Sequence, residues 1–140
     1  MTHEEYFAQR LLPQIKWYSH KAAINKRWHQ YLRIRVIVLS ALIPLFAGMD
    51  FPLPHKNILL GTLGAMVVIT EGIAEFLKFR EKWSQYRSTA ELLKQEKMLF
   101  LTSSGNYAET SNAFRLLVAR VEALINAENA EWVKYVKDGE

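Results

Sequence analysis

The sequence predicts an all-α protein built as a two-span transmembrane helical hairpin, its second span continuing as a long cytoplasmic helix packed against N- and C-terminal helices. Three observations carry this. Two uncharged stretches of equal length, 36–49 and 57–70, lie close together in the chain. A helical seam of period 3.5 runs from Ile58 to Phe100 without a proline. The formal charge is placed unevenly: residues 1–35 carry a net +5, 36–77 carry −2, 78–101 carry +3 and 102–140 carry −2, which makes the total of +4. The basic excess thus flanks the apolar middle on both sides, an arrangement that suits anionic headgroups and explains the positive charge without nucleic acid.

The N-terminal segment, 1–33, reads as cytoplasmic helices. Thr2 with Glu5 forms a Thr-x-x-Glu capping box, so a short helix is expected to run to about Leu12. Pro13 fits a helix start better than a helix interior, which places a second helix from about there. Trp17, Ile24, Trp28 and Tyr31 fall along one side of it. Packing against a neighbouring helix is one role for this stripe. Trp28 and Tyr31, just before the apolar run, also suit the interfacial belt, where amphipathic rings anchor a span. This segment is charged and aromatic and does not read as a signal peptide.

The first span is expected over 34–51. Each uncharged stretch is short of the eighteen residues that define a span unaided, and buried core helices reach this length. A soluble helix needs a polar face, however, and neither stretch has one. Arg33 and Arg35 can snorkel, while Phe51 and Leu53 extend the apolar surface at the other end. Residues 52–56 form the outer turn: Pro52 and Pro54 stop helix propagation, and so short a link makes the two spans antiparallel neighbours. The second span is expected over 57–75 and its cytoplasmic extension over 76–101. The turn carries Lys56 alone among lysines and arginines, so the positive-inside bias puts both termini in the cytoplasm. Gly105 in Thr102-Ser-Ser-Gly-Asn-Tyr107 ends the long helix, and Asn106 with Glu109 caps a last helix over 108–136. Its stripe of Phe114, Leu117, Val121, Leu124, Ile125, Trp132 and Val136 is expected to face the long helix.

Chemistry-bearing residues are few. Arg35 and Glu71 lie at similar depth on facing spans, and an ion pair between them would lock the hairpin, because charges near the end of a span are costly unless paired or hydrated. Glu75 has Arg33 or Lys78 as possible partners. The alternative makes Glu71 and Glu75, one turn apart, acidic rings at the mouth of an oligomeric cation pore, with Thr62, Ala65, Ile69 and Gly72 on the seam toward its axis. Gly61, Gly64 and Ala65 allow close helix packing, within the chain or between copies. Arg87 and Glu91 form an i,i+4 pair. Glu91 and Glu96 among Lys94 and Lys97 read as a solvated face. The chain has no cysteine, and His3, His20, His29 and His55 are not spaced as ligands, so no metal site, cofactor or catalytic residue is expected.

At Trp83-Ser-Gln-Tyr86-Arg87-Ser-Thr89-Ala-Glu91-Leu-Leu-Lys94-Gln-Glu96 the chain resembles a bacterial family of small two-helix membrane proteins of unknown function within the SLATT superfamily. In that family a W-x-x-Y-R-x-x-x-E-x-L-K-x-E run follows the second span. The similarity extends in layout from about Trp17 to Trp132. The resemblance implies a bacterial inner-membrane effector that oligomerises and forms pores, sometimes encoded beside nucleotide-signal enzymes or sensors; it transfers no functional residue. A homo-oligomeric channel is therefore the expectation, with a lipid bilayer, further copies of the chain and a conducted ion as its partners, and a regulatory nucleotide-system partner not identified. A non-conducting, membrane-anchored helical scaffold is the alternative, and a soluble adaptor bundle the third.

Overall fold

The structure is a computed structural model that describes residues 1–138 apart from 51 and 53, and their side chains except those of 132, 135 and 136. Five α-helices follow one another: α1 His3–Tyr6, α2 Leu12–Gly48, α3 Lys56–Leu77, α4 Phe79–Leu101 and α5 Ala113–Asp138. A π-helical turn, Phe7–Leu11, joins α1 to α2, and a 3₁₀ turn, Gly105–Tyr107, lies between α4 and α5. No strand occurs among the described residues.

The first helix starts where the capping box places it. The Thr2 amide donates to Glu5 Oε2 at 3.0 Å and the Glu5 amide to Thr2 Oγ1 at 3.3 Å. The expected break at Pro13 does not occur. An ordinary helical turn would drive the proline ring into the Gln9 carbonyl. Instead the backbone widens just before it, with the Leu12 amide bonded to the Phe7 carbonyl five residues back, and helix continues. Two further boundaries differ from expectation. Lys78, with φ 49 and ψ 44, separates span from extension, so the unbroken helix over Ile58–Phe100 is in fact two helices. The last helix begins at Ala113, not at 108, because turns continue after the 3₁₀ turn of 105–107, with Thr110 Oγ1 donating to the Asn106 carbonyl at 2.9 Å, so Asn106 and Glu109 do not cap it. The end of α4 is a Schellman motif: Ser103, at φ 49, donates to the Phe100 carbonyl and Ser104 to that of Leu99. Gly105 does take the positive φ, at 60°.

The helices sort into two units. One comprises Met1–Ala22 and Ser84–Glu140. Its core is Leu11, Tyr18, Leu93, Leu117 and Val121, with Tyr6, Phe7, Ile15, Tyr86, Ala90 and Ile125 around them. Pairs such as Phe7 with Phe100 and Trp17 with Tyr86 run the N-terminal segment antiparallel to α4. Glu96 with Arg120 and Gln85 with Glu131 do the same for α4 and α5. The seam Tyr86, Ala90, Leu93 thus packs as expected, and so does the α5 stripe through Leu117, Val121 and Ile125. The Trp132 and Val136 side chains lie outside the described residues.

The other unit, Ala23–Trp83, is a helical hairpin. Lys56 meets the end of α2 through the Ala47 and Met49 carbonyls, and Trp28 stacks on Phe79 with centroids 6.1 Å apart, so α2 and α3 run antiparallel. Within this unit only Asn25, Leu32, Leu63 and Thr70 are buried among the described residues. Both helices are long and apolar enough to cross a membrane. Phe51 and Leu53, expected to lengthen the first span, lie outside the described residues.

Candidate functional site

The hairpin leaves its apolar side chains uncovered. In the most apolar eighteen-residue windows only 6% of the first and 11% of the second are buried. Ile58, Val68, Ile69, Ile73 and Phe76 are exposed, Phe76 at 84%. In water each such side chain forgoes about 1.5–3 kcal/mol of burial. The seam predicted along α3 is part of this bare face: Ile58, Thr62, Ala65, Ile69, Gly72 and Phe76 are all exposed, while Leu63 and Thr70, on another side, meet the chain's own neighbours. The same seam that packs within the chain along α4 is open along α3. Gly61, Gly64 and Gly72 are equally open: a methyl group at any of them would meet nothing within 4 Å. Close packing against the first span therefore does not account for these small residues.

The charged candidates gather at the other end of the hairpin from the Pro52–Pro54 elbow. A cavity of about 160 Å³ is lined by His29, Leu32, Arg33 and Val36 from α2, Glu71, Ala74 and Glu75 from α3, and Arg80 and Glu81 from α4. It brings together Arg33, Glu71 and Glu75, three of the predicted set. Arg35 does not line it, and the Arg35–Glu71 and Arg33–Glu75 ion pairs are absent among the described residues. Nor does Arg87 pair with Glu91 among the described residues; Glu91 accepts from Lys94 at 3.1 Å.

Lys78 explains how Arg80 reaches this cavity. On an unbroken helix, turning about 100° per residue, Arg80 would point roughly 180° away from Glu71. A single left-handed residue resets the direction of the chain, and Arg80 and Glu81 then line the same space as Glu71 and Glu75. Above the cavity Trp28 lies between Phe79 and Tyr31, and Trp83 stacks on His29 with Lys26 over its ring. Trp28 and Tyr31 are more than half exposed, so neither ring is a core residue, whereas Trp17 at the start of the stripe packs edge-on against Tyr86.

A second group, in the other unit, was not read from the sequence. Glu96 is buried, accepts from Tyr107 at 2.5 Å and is gripped by Arg120 through Nε at 2.9 Å and Nη2 at 2.7 Å. It is no part of a solvated face. Burial pushes its carboxyl up, but Arg120 and Tyr107 outweigh this and hold it below the ordinary value. Glu122 accepts from Arg10 twice at 3.0 Å and from Tyr6 at 3.2 Å; the arginine bonds hold it low, while burial and Glu122 push the Tyr6 phenol up to about 12. Glu128 accepts from Tyr18 at 3.2 Å through Oε2, its buried Oε1 meets no arginine or other partner among the described residues, and burial pushes the carboxyl up. The signal was present in spacing: Glu96 follows Leu93 by three and Glu128 follows Ile125 by three, each continuing a core stripe. These bonds tie the N-terminal helices and α4 to α5 and to the turn before it. Among the described residues no three His, Asp or Glu side chains are grouped to hold a metal ion.

Fold and site define an all-helical protein with two helices apolar enough to span a membrane and a charged cavity at one end of the hairpin they form. The family model described as "Protein of unknown function (DUF4231)" matches residues 13–114, and the chain belongs to that family. No curated protein and no solved structure matches it.

Proposed function

We propose that the chain is a homo-oligomeric integral membrane protein of the bacterial inner membrane, with both termini cytoplasmic, acting as an ion channel or pore-forming effector. The observation that carries this is the bare apolar hairpin: with 6% and 11% of its two apolar windows buried, it needs lipid or further copies to cover it. Two helices cannot enclose a water-filled path, so conduction requires several chains around an axis. The open seam through Thr62, Ala65, Ile69 and Gly72 is a surface along which copies would meet, with Glu71 and Glu75 at its charged end. The flanking positive charge supports the orientation, and the resemblance to the SLATT superfamily supports the pore reading.

Carbonate washing of membranes is the first test: the chain should stay in the pellet and come out only with detergent. Reconstituted liposomes then test conduction. Ion leak is expected, and Glu71→Gln with Glu75→Gln should reduce cation preference if these carboxylates ring the mouth. A chain that remains in the membrane fraction yet passes no ions favours the second reading, a non-conducting scaffold that recruits a cytoplasmic partner. The exposure of Met98 and Leu101 on α4 offers such a partner an apolar contact.

A further inference from the structure

The cavity between α2, α3 and the start of α4 is lined by exposed side chains of both charge signs that form no ion pair with one another among the described residues. Arg33, Glu71, Glu75, Arg80 and Glu81 line one space of about 160 Å³, and none makes an ion pair or hydrogen bond among the described residues. That volume admits about five ordered waters at roughly 30 Å³ each, enough for a small polar ligand. Chance does not bring them together along a regular helix, because Arg80 faces the cavity only through the left-handed Lys78. Backbone in that conformation is costly for a residue with a Cβ, and such strain collects where geometry is under demand.

A ligand that answers this lining carries an anion and a cation a few ångströms apart. Guanidinium groups present planar forks that match phosphate oxygens. Carboxylates accept several hydrogen bonds from a primary ammonium and none from a quaternary one. A bare metal ion is a poor fit, because two arginines share the space and no ligand trio is grouped there among the described residues. We infer that this cavity binds a phosphate–ammonium zwitterion of the phosphoethanolamine type, its phosphate against Arg33 and Arg80 and its primary ammonium against Glu71 and Glu75. The position of the cavity, directly beyond the uncharged stretches at Val36 and Thr70, makes the headgroup of a bilayer phospholipid the first source; soluble phosphoethanolamine is the second. The lipid source rests on the membrane reading above, whereas the site itself does not.

The test is native mass spectrometry of the detergent-purified full chain, offered equal amounts of phosphatidylethanolamine, phosphatidylcholine and phosphatidylglycerol, with soluble phosphoethanolamine added in a separate arm. The ethanolamine lipid should be retained about tenfold over the choline lipid, equivalent to roughly 1.4 kcal/mol. Glu71→Gln with Glu75→Gln should abolish that preference while phospholipid is still retained. Arg33→Gln with Arg80→Gln should remove retention of all three, and Arg33→Lys with Arg80→Lys should restore part of it, which separates lost binding from lost folding. Displacement by phosphoethanolamine alone assigns the soluble source. Equal retention of the three lipids, unaltered by either pair of substitutions and with no binding of phosphoethanolamine, overturns the proposal. A chain that stays dispersed without detergent yet binds phosphoethanolamine would remove the membrane reading and leave the site standing.

Discussion

Glu96 and Glu128 are two buried carboxyls in one unit with opposite electrostatic settings. Glu96 has a bidentate arginine and a tyrosine; Glu128 has a tyrosine and one bare oxygen. Glu96→Ala is expected to cost about 2 kcal/mol, less than a fully buried pair, because the Arg120 side chain is 41% exposed and can turn to water. Thermal unfolding in detergent reads this directly. The pH dependences run against each other. The folded Glu96 carboxyl sits low, so its contribution is present above the ordinary carboxylate value and is lost as pH falls through the folded one. Glu128 sits high, so the folded state keeps its proton longer; that contribution is present below the ordinary value and lost as pH rises through the folded one. Glu128→Gln removes the buried charge and keeps an acceptor for Tyr18. Stability at pH 8 should be unchanged or up by about 1 kcal/mol, with a flatter decline as pH rises above the ordinary carboxylate value, measured as the melting temperature against pH. Neither residue was legible as buried, since Glu96 among Lys94 and Lys97, and Glu128 among Asn126, Asn129 and Glu131, resemble an exposed face until the stripe each continues is followed to its end.

Helix boundaries are decided by single residues here. The capping box at Thr2 and Glu5 and the positive φ of Gly105 were legible, because each is local chemistry: two hydrogen bonds in one case and a missing Cβ in the other. Pro13 was legible as an obstacle but not in its resolution, since a π turn is one of several ways to make room for a proline ring. Lys78 was not legible at all. Lysine has no preference for the left-handed region, and the seam continues past it with unchanged spacing, so tertiary arrangement overrides local propensity there. Lys78→Gly should therefore relieve backbone strain, raising stability by about 1 kcal/mol. Lys78→Val should lower it by a comparable or larger amount, because a β-branched side chain tolerates positive φ least. Chemical denaturation of both variants in the same detergent provides the comparison. An equal loss in both would mean that the lysine side chain, not the backbone, sets the conformation.

For the molecule as a whole, the layout of two apolar helices, a proline elbow and flanking helices could be read from where charge is missing, as uncharged runs of fourteen residues leave few alternatives. Which face of α3 the chain covers could not be read, because the seam is equally apolar on both sides of Lys78 and only packing separates a filled groove from an open one. The open glycines give a prediction at this scale. A Cβ at Gly61 or Gly64 meets nothing within 4 Å beyond its own turn of helix, so with Gly61→Leu and Gly64→Leu the folded protomer should be as stable as before or higher by up to about 1 kcal/mol from helix propensity. If copies pack along this face, the same substitutions should lower the mass of the assembly in sedimentation or native mass spectrometry. At the elbow, Lys56 donates from Nζ to the carbonyls of Ala47 at 3.2 Å and Met49 at 2.9 Å, acceptors that the end of α2 leaves without a helical amide. Among the described residues Lys56 is the amine at that end of the hairpin and is thus occupied as a clasp, so an acylating reagent should modify it slowly until the clasp opens, and its rate of labelling becomes a gauge of how often the two helices part.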